Sequence, residues 1–409
     1  MNEAQGPSID GRFRATDPGR GTRQSGMRVY NERLVLSLVR RHGALPKAEL
    51  ARMTGLSAQT ASVIVNQLEA EGLVVKGARK RGRIGQPAVP FSLNPSGAFA
   101  FGLKIGRRSA DLVLIDFNGT VLRRQHLTYA YPLPSTLIQF AAESLAAMEA
   151  ELAPKEKARI AGLGLGLPGE LWNWSYEVGS PPGALDVWRG FDLRTALADT
   201  LGRPVYLCND GTAACAAELV FGGHERLQDF LYIFIGSFVG GGLVLNGTLV
   251  PGQSGNAAAI GSMPVPGASG NAQQLIRTAS LYTLEARLIA AGKATGWLWN
   301  AAGAWKEAGS ELDDWIAEAS ASLAYAVTAA SAVIDFQAVV LDGAFPAPIR
   351  AQLVEAVAER TLGFDRQGLT QAQVLPGTIG ASAREVGAGC LPLIANFALD
   401  RDVFFKEAI

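Results

Sequence analysis

Apolar residues at helical spacing begin at Val29, and they predict a first helix near the start of the chain. Pro46 opens a second, shorter helix, which Gly55 ends. Ser57 is a suitable N-cap for a third helix over residues 58–71, because its hydroxyl can accept a hydrogen bond from an unpaired backbone N–H group. One face of that third helix is apolar, and it consists of Ala61, Ile64, Val65 and Leu68.

Two short apolar runs follow at residues 73–75 and 88–93, and a basic segment over residues 76–83 separates them. Three helices followed by strand, basic turn and strand are the layout of a winged helix-turn-helix. We therefore expect a DNA-binding domain of this kind over residues 28–95. Residues 1–27 are rich in Gly, Arg, Ser, Asp and Thr and lack apolar periodicity, which predicts a disordered tail.

The third helix and the basic segment carry the residues expected to contact duplex DNA. A helix in this position enters the major groove by its N-terminal face, where hydroxyl and amide side chains reach base edges and phosphates. Arginines of a wing suit a narrow minor groove. The predicted DNA-binding residues are Ser57, Gln59, Thr60, Ser62, Asn66, Arg79, Lys80, Arg81 and Arg83.

A second pattern begins near Gly97, where hydrophobic strands alternate with amphipathic helices. This alternation, in which each strand ends in Gly or Asp, predicts an α/β body in two lobes. We place lobe 1 at residues 96–213, with residues 381–409 returning to it. Lobe 2, at residues 214–380, is expected to hold the effector and the dimerisation surface. The predicted strands include residues 101–106, 111–116, 160–167, 205–210, 231–235 and 339–344.

Charge is distributed unevenly along the 409 residues, although the formal net charge is zero. Residues 1–93 contain 15 Lys+Arg against 7 Asp+Glu, and residues 94–409 contain 22 against 30. The head thus carries +8 and the body −8. A basic head on an acidic body indicates a nucleic-acid partner for the head alone.

Several classes of protein are excluded by what the chain lacks. No apolar run is long enough for a membrane span, and the Arg-rich start is unlike a signal peptide. Three cysteines, Cys208, Cys215 and Cys390, are too few for a disulfide framework in a chain of this length. We expect a cytoplasmic protein with no membrane partner.

Motifs in a fixed order make the body resemble the ROK family of repressors, open reading frames and kinases. They are Gly162-Leu-Gly-Leu-Gly-Leu-Pro-Gly169, Trp188, Pro204-Val-Tyr-Leu-Cys-Asn-Asp210, Gly240-Gly-Gly-Leu-Val-Leu-Asn-Gly247, Pro251-Gly-Gln-Ser-Gly-Asn-Ala257, Ile260-Gly261 and Met263-Pro264-Val265. The resemblance implies a two-lobed actin/hexokinase-like fold over about residues 97–395. Together with the head, it covers nearly the whole length of the family's transcriptional repressors.

The two phosphate loops of the family's kinases are altered. An Asp-x-Gly-Gly-Thr loop is replaced by Lys104-Ile-Gly106-Arg107-Arg108, so lysine stands where a carboxylate would handle magnesium. The second loop, usually Gly-Thr-Gly, reads Gly236-Ser237-Phe238. These departures predict that the body is not an enzyme and uses no cofactor. A sugar kinase with altered loops is the catalytic alternative.

The resemblance also implies a sugar site. Asn209 and Asp210 match a pair that contacts sugar hydroxyls in the family, whereas the family's Glu and His are replaced by Ala259 and Ser262. A structural role for Asp210 as a helix N-cap is the alternative. No zinc is expected, because residues 263–280 contain neither Cys nor His. The predicted effector-binding residues are Asn209, Asp210, Trp188 and Asn256.

These observations lead to one main hypothesis. The chain is a DNA-binding transcriptional regulator, a repressor of carbohydrate-metabolism genes, whose non-catalytic body binds a sugar or sugar-derived effector. The body forms a homodimer or tetramer and presents its heads to a double-stranded operator. The alternative is a regulator controlled by a protein partner or by no ligand, which the loss of the family's Glu and His keeps open.

Overall fold

A computed structural model describes residues 23–78, 89–224, 226–267, 270–300 and 304–399, which form two compact units. Unit 1 contains the described residues up to Leu165, Glu170–Leu207 and the described residues from Ala388 onward. Unit 2 contains Gly166–Gly169 and Cys208–Gly387. The head and lobe 1 thus belong to the same unit. The chain enters unit 2 at Cys208 and leaves it after Gly387, slightly away from the predicted lobe boundaries at 213 and 381.

The head consists of three helices and a small antiparallel sheet, in the strand order β1-β3-β2. Its elements are α1 (Arg23–His42), β1 (Ala44–Pro46), α2 (Lys47–Thr54), α3 (Ala58–Ala70), β2 (Val74–Lys76) and β3 (Pro90–Leu93). Helix α1 begins at Arg23, so residues 23–27, which were predicted as part of the tail, are helical. The rest of the predicted tail lies outside the described residues.

The apolar stripe predicted for α3 forms the core of the head. Ala61, Ile64, Val65 and Leu68 are all buried, as is Leu50 of α2. Helix α2 ends where Gly55 adopts a φ of 68°, a backbone conformation that glycine tolerates better than other residues. Local sequence signals therefore account for the position and the buried face of α3.

The rest of unit 1 is built on a five-stranded sheet in the order β6-β5-β4-β7-β8. Strands β4, β5 and β6 form an antiparallel meander. The elements are β4 (Phe99–Ile105), β5 (Ser109–Asp116), β6 (Val121–Thr128), α4 (Pro134–Ala150), α5 (Pro154–Lys157), β7 (Ile160–Gly166), α6 (Ser175–Val178), α7 (Leu193–Leu201) and β8 (Val205–Cys208).

Unit 2 repeats this strand order in a second sheet, β11-β10-β9-β14-β15. Strands β9, β10 and β11 are antiparallel, and β14 pairs in parallel with β9 and β15. The elements are α8 (Asp210–Phe221), β9 (Phe230–Ile235), β10 (Val239–Leu245), β11 (Thr248–Val250), β12 (Pro264–Pro266), β13 (Ala272–Gln274), α9 (Ile276–Ala279), α10 (Leu281–Ala290), α11 (Trp297–Asn300), α12 (Ser310–Ser331), β14 (Ala338–Gly343), α13 (Ala347–Thr361) and β15 (Gln373–Pro376). Helix α14 (Ala383–Phe397) starts in unit 2 and continues into unit 1.

Glycines allow helix α8 to lie directly on strand β10. A Cβ atom on Gly242 would come within 2.4 Å of the Cys215 Cβ, and one on Gly211 within 2.7 Å of the Gly241 nitrogen. No larger residue fits without moving the helix. This close contact holds the N-terminus of α8, and with it Asn209 and Asp210, against the sheet.

None of the helices within the described ranges combines the length and the apolar composition needed to cross a lipid bilayer.

Candidate functional site

The first turn of the recognition helix α3 is fixed by its own hydroxyl groups. Ser57 is the N-cap, as predicted, and its Oγ accepts a hydrogen bond from the Thr60 backbone nitrogen at 3.1 Å. The two hydroxyl oxygens, Ser57 Oγ and Thr60 Oγ1, are 2.8 Å apart. Gln59, which stands between these two residues in the sequence, is exposed. The predicted base-reading residues of this turn are therefore brought together on the surface of the head.

A lysine that the sequence reasoning missed orients two side chains in the middle of α3. Lys47 Nζ is 2.5 Å from Asn66 Oδ1 and 3.3 Å from Ser62 Oγ, and it lies 5.3 Å from the centre of the Phe91 ring. Because the amide oxygen of Asn66 is held by the ammonium group, its N–H₂ group is presented as a donor. The available sequence signal was only a cation at the first position of α2.

The base of the wing is described, but its tip is not. Val74–Lys76 pairs with Phe91–Leu93, and Lys76 Nζ forms an ion pair with Glu69 Oε1 of α3 at 2.8 Å. The strands of the wing thus start beside the recognition helix. The predicted wing cations lie outside the described residues and stay predictions: Arg79, Lys80, Arg81 and Arg83.

In unit 1, the altered first phosphate loop is part of a charge network across three strands. Lys104, Asp111 and His126 are neighbours in register on β4, β5 and β6. Lys104 Nζ is 2.8 Å from Asp111 Oδ2, and His126 Nδ1 is 2.7 Å from Asp111 Oδ1. Lys104 is buried, with 5% of its surface exposed. The lysine that replaces the kinase carboxylate is therefore neutralised inside the hairpin.

The pKa of the Asp111 carboxyl is lowered to about 2 by this network. Burial alone would raise that pKa, but the charge of Lys104 and the hydrogen bonds from Lys104 and His126 outweigh the burial. A carboxyl group whose pKa is lower in the folded protein than in the unfolded chain stabilises the fold. This contribution is complete at pH values above the pKa that the group has in the unfolded chain. That contribution is lost as the pH falls from about 4 towards about 2.

We expect Asp111→Asn to destabilise the protein at neutral pH by about 2 kcal/mol, because Lys104 then lacks its carboxylate partner. The difference in unfolding free energy between wild type and variant should shrink between about pH 4 and about pH 2. Urea denaturation over this range measures it. Parallel pH profiles for the two proteins would contradict the network.

In unit 2, side chains of the protein pack around the altered second phosphate loop. The backbone nitrogen of Leu281 donates to the Gly236 carbonyl at 3.0 Å, and the Phe238 ring contacts Tyr282 edge-on, with 5.5 Å between ring centres. The Arg384 guanidinium lies 4.9 Å from the centre of the Phe234 ring, beside the same turn. The start of α10 and the side chain of Arg384 therefore pack against or beside this loop.

Asn209 and Asp210 lie together at the start of α8, and their roles differ. Asn209 is the N-cap, because its Oδ1 accepts a hydrogen bond from the Gly211 nitrogen at 2.9 Å. Asp210 is the first residue of the helix, and its Oδ2 is 3.4 Å from Arg384 Nη1. The capping role considered for Asp210 thus belongs to Asn209. Sequence reasoning missed Arg384, which is 174 positions away from Asp210.

The other two predicted effector residues, Trp188 and Asn256, belong to different units. Trp188 belongs to unit 1, where it is buried and its indole N–H donates to the Pro132 carbonyl at 3.0 Å. Its indole nitrogen is thus bound to the backbone of the same unit, and its contact with an effector stays a prediction. Asn256 is exposed in unit 2, on the loop after β11. Two residues further on, Ala258 adopts a φ of 56°, a conformation that favours glycine.

Metal-ligating side chains do not cluster within the described part of the chain, where no three His, Cys, Asp or Glu residues come together in a way that could hold a metal ion. Ala259 and Ser262, at the positions of the family's Glu and His, are both exposed.

The ROK family model matches residues 100–391, and the MarR family model matches residues 30–84. Since the first match spans well over half of the chain, this protein belongs to the ROK family. Its head is a winged helix-turn-helix, and both parts of the predicted fold class are confirmed.

Three similar proteins illustrate the family. Uncharacterized protein y4fQ of Sinorhizobium fredii is 29% identical over 90% of this chain and 91% of its own length. The xylose repressor of Bacillus spizizenii is 26% identical over 59% of this chain and 62% of its own. NagC of Escherichia coli, a DNA-binding transcriptional dual regulator, is 23% identical over 58% and 57%. The matches thus span less than two thirds of the two named regulators.

Solved structures agree on the fold. A ROK family transcriptional regulator, a homologue of the E. coli Mlc protein, matches with a TM-score of 0.61 and 18% identity over 91% of this chain and 98% of its own. A ROK family glucokinase of Streptomyces griseus, in complex with glucose and AMPPNP, matches with a TM-score of 0.56 and 19% identity over 72% and 99%. The regulator match extends over the head as well as the body.

Proposed function

We propose that this protein is a DNA-binding transcriptional repressor of carbohydrate-metabolism genes. The observation that carries the proposal is helix α3, whose capped first turn presents Gln59 and whose middle presents Asn66, beside the strands of a basic wing. Similarity to proteins named xylose repressor and NagC supports the regulatory role and the link to sugars.

The body of the protein is non-catalytic in this proposal. A sugar kinase needs a carboxylate for its metal ion and a base for the sugar hydroxyl. Here the first position is Lys104, paired with Asp111, and the carboxylate at the second position, Asp210, is paired with Arg384. Both positions are thus neutralised by ion pairs within the chain, which supports a binding role for the body.

The effector in this proposal is a sugar or a sugar-derived compound that binds through Asn209 and Asp210, with Asn256 as a further contact. Trp188 supports unit 1 by packing. Strand-end carboxylates and amides are suited to hydroxyl groups, because they accept and donate in fixed directions. The protein acts as a homodimer or tetramer on a two-fold operator, since winged-helix heads read paired half-sites.

The full chain, mixed with a pool of random duplexes, is expected to enrich an operator with two related half-sites. A thermal-shift screen of sugars and sugar derivatives is then expected to find a compound that stabilises the protein and releases the operator. Assays with ATP, magnesium and hexoses serve as the catalytic control. Failure to enrich any duplex, or phosphorylation of a hexose, would overturn the proposal.

A further inference from the structure

An arginine of lobe 1 binds the C-terminal end of the recognition helix. Arg159, just before β7, donates from Nη2 to the Glu71 carbonyl at 3.0 Å and from Nη1 to the Gly97 carbonyl at 2.9 Å. The Gly72 carbonyl lies 3.4 Å from the same Nη1. Glu71 is the C-cap residue of α3, so a cation here also complements the negative end of the helix dipole.

The segment that joins the head to lobe 1 is tied to both of them. On the head side, Asn94 donates from its backbone nitrogen to Leu73 at 3.0 Å and from Nδ2 to Gly72 at 2.7 Å. On the lobe side, the Phe117 nitrogen donates to the Pro95 carbonyl at 3.0 Å. The connection between the head and lobe 1 is therefore held by hydrogen bonds on both sides. A flexible linker would lack such bonds to the domains that it joins.

A second arginine joins α1 to the same lobe. Arg40, in the last turn of α1, donates from Nη1 to the Phe117 carbonyl at 2.7 Å, and its guanidinium lies 4.7 Å from the centre of the Phe117 ring. The same ring contacts Phe397 of α14 edge-on, with 4.8 Å between ring centres. Helices α1 and α14 thus both contact Phe117 of lobe 1.

Two segments that cross between the units end at this junction. Strand β7 starts beside Arg159 and runs into Gly166–Gly169 of unit 2, and α14 starts in unit 2 and ends in unit 1. Both segments therefore connect unit 2 covalently to the unit that contains the head.

We propose that Arg159 is the positioning residue that couples the recognition helix to the body, so that α3 moves together with lobe 1. This inference rests on the proposed DNA-binding function. A guanidinium holds its donors in a rigid planar fork, which lets one side chain bind carbonyls of the helix end and of the linker together. A lysine ammonium lacks this fork, so Arg159→Lys should restore the coupling only in part.

Hydrogen exchange of the full chain, followed by mass spectrometry, tests the coupling. In Arg159→Gln without DNA, amides of residues 68–73 are expected to exchange roughly tenfold faster than in wild type, because charge-assisted hydrogen bonds to the helix end are lost. With random-sequence duplexes at low ionic strength, wild type should show slower exchange in α3 and also in residues 160–166. In Arg159→Gln the slowing should be confined to α3.

Two further variants sharpen the test. Arg123→Gln removes an exposed ion pair with Glu151 in the same lobe and should behave as wild type. Gly97→Ala keeps Arg159 but places a Cβ 3.2 Å from the Gly72 carbonyl oxygen and 3.1 Å from Phe117 Cδ1, so it should disturb the junction in the same direction. If Arg159→Gln fails to fold, Gly97→Ala replaces it in the same exchange experiment.

The outcomes separate this inference from the proposed function. If wild type binds no duplex, the proposed function fails, and the DNA-free exchange of residues 68–73 still decides the role of Arg159. If wild type binds DNA but exchange in residues 160–166 does not slow, the coupling is overturned. Wild-type exchange in Arg159→Gln, with and without DNA, overturns it as well.

Discussion

Binding of every duplex is expected to weaken about a hundredfold at moderate salt when Arg79, Lys80, Arg81 and Arg83 are together replaced by glutamine. For each phosphate contact that is lost, binding releases about one counterion fewer from the DNA. The slope of log affinity against log salt should therefore become shallower by about 3 to 4. Fluorescence anisotropy titrations of the full chain at several salt concentrations measure both quantities.

Matched variants distinguish the wing from a general effect of charge. Neutralising four exposed cations of the body should leave the affinity and the salt slope unchanged; these are Lys155, Lys157, Arg226 and Lys306. Gln59→Ala and Asn66→Ala should instead change the preference among sequences, by roughly tenfold at the affected base pair, and leave most of the slope intact. Unchanged operator affinity in the quadruple variant would show that the basic segment is not a wing.

Asp210→Asn is expected to raise the effector concentration needed for operator release by roughly 10- to 100-fold, because hydrogen bonds to a carboxylate are stronger than those to an amide. Operator affinity without effector should stay the same, since the head is not altered. The measurement is anisotropy of labelled operator during titration with the effector found in the sugar screen. Glu318→Gln, which removes an exposed ion pair with Arg287 in the same unit, is the control.

Arg384→Gln separates two ways in which Asp210 could act. This variant keeps the carboxylate but removes its ion pair. If Asp210 contacts the effector directly, Arg384→Gln should retain the response that Asp210→Asn loses. If both variants lose the response, the response depends on the ion pair between Asp210 and Arg384. If Asp210→Asn folds and responds as wild type does, the Asn209–Asp210 pair is scaffold, and a regulator controlled by a protein partner becomes the better hypothesis.

Elements with local causes follow directly from the amino-acid sequence. Ser57 caps α3, Gly55 ends α2, and the buried face of α3 follows the spacing of Ala61, Ile64 and its neighbours. Each of these features depends on residues within one or two helical turns, so a single stretch of sequence contains the full cause. The motifs of the body were likewise sufficient for the family and the two-lobed fold, because they occur in a fixed order.

Which charged groups act together depends on the three-dimensional fold. Arg384 meets Asp210 across 174 positions, and Arg159 meets Glu71 across 88. Lys104, Asp111 and His126 form one network only because three strands pair in a particular register. Composition and periodicity specify which face of an element is buried, but a contact between distant elements depends on how the strands are ordered and how far each is shifted. Register and strand order are properties of the assembled sheet. A shift of one residue in a strand would turn its member of the Lys104, Asp111 and His126 network to the opposite face.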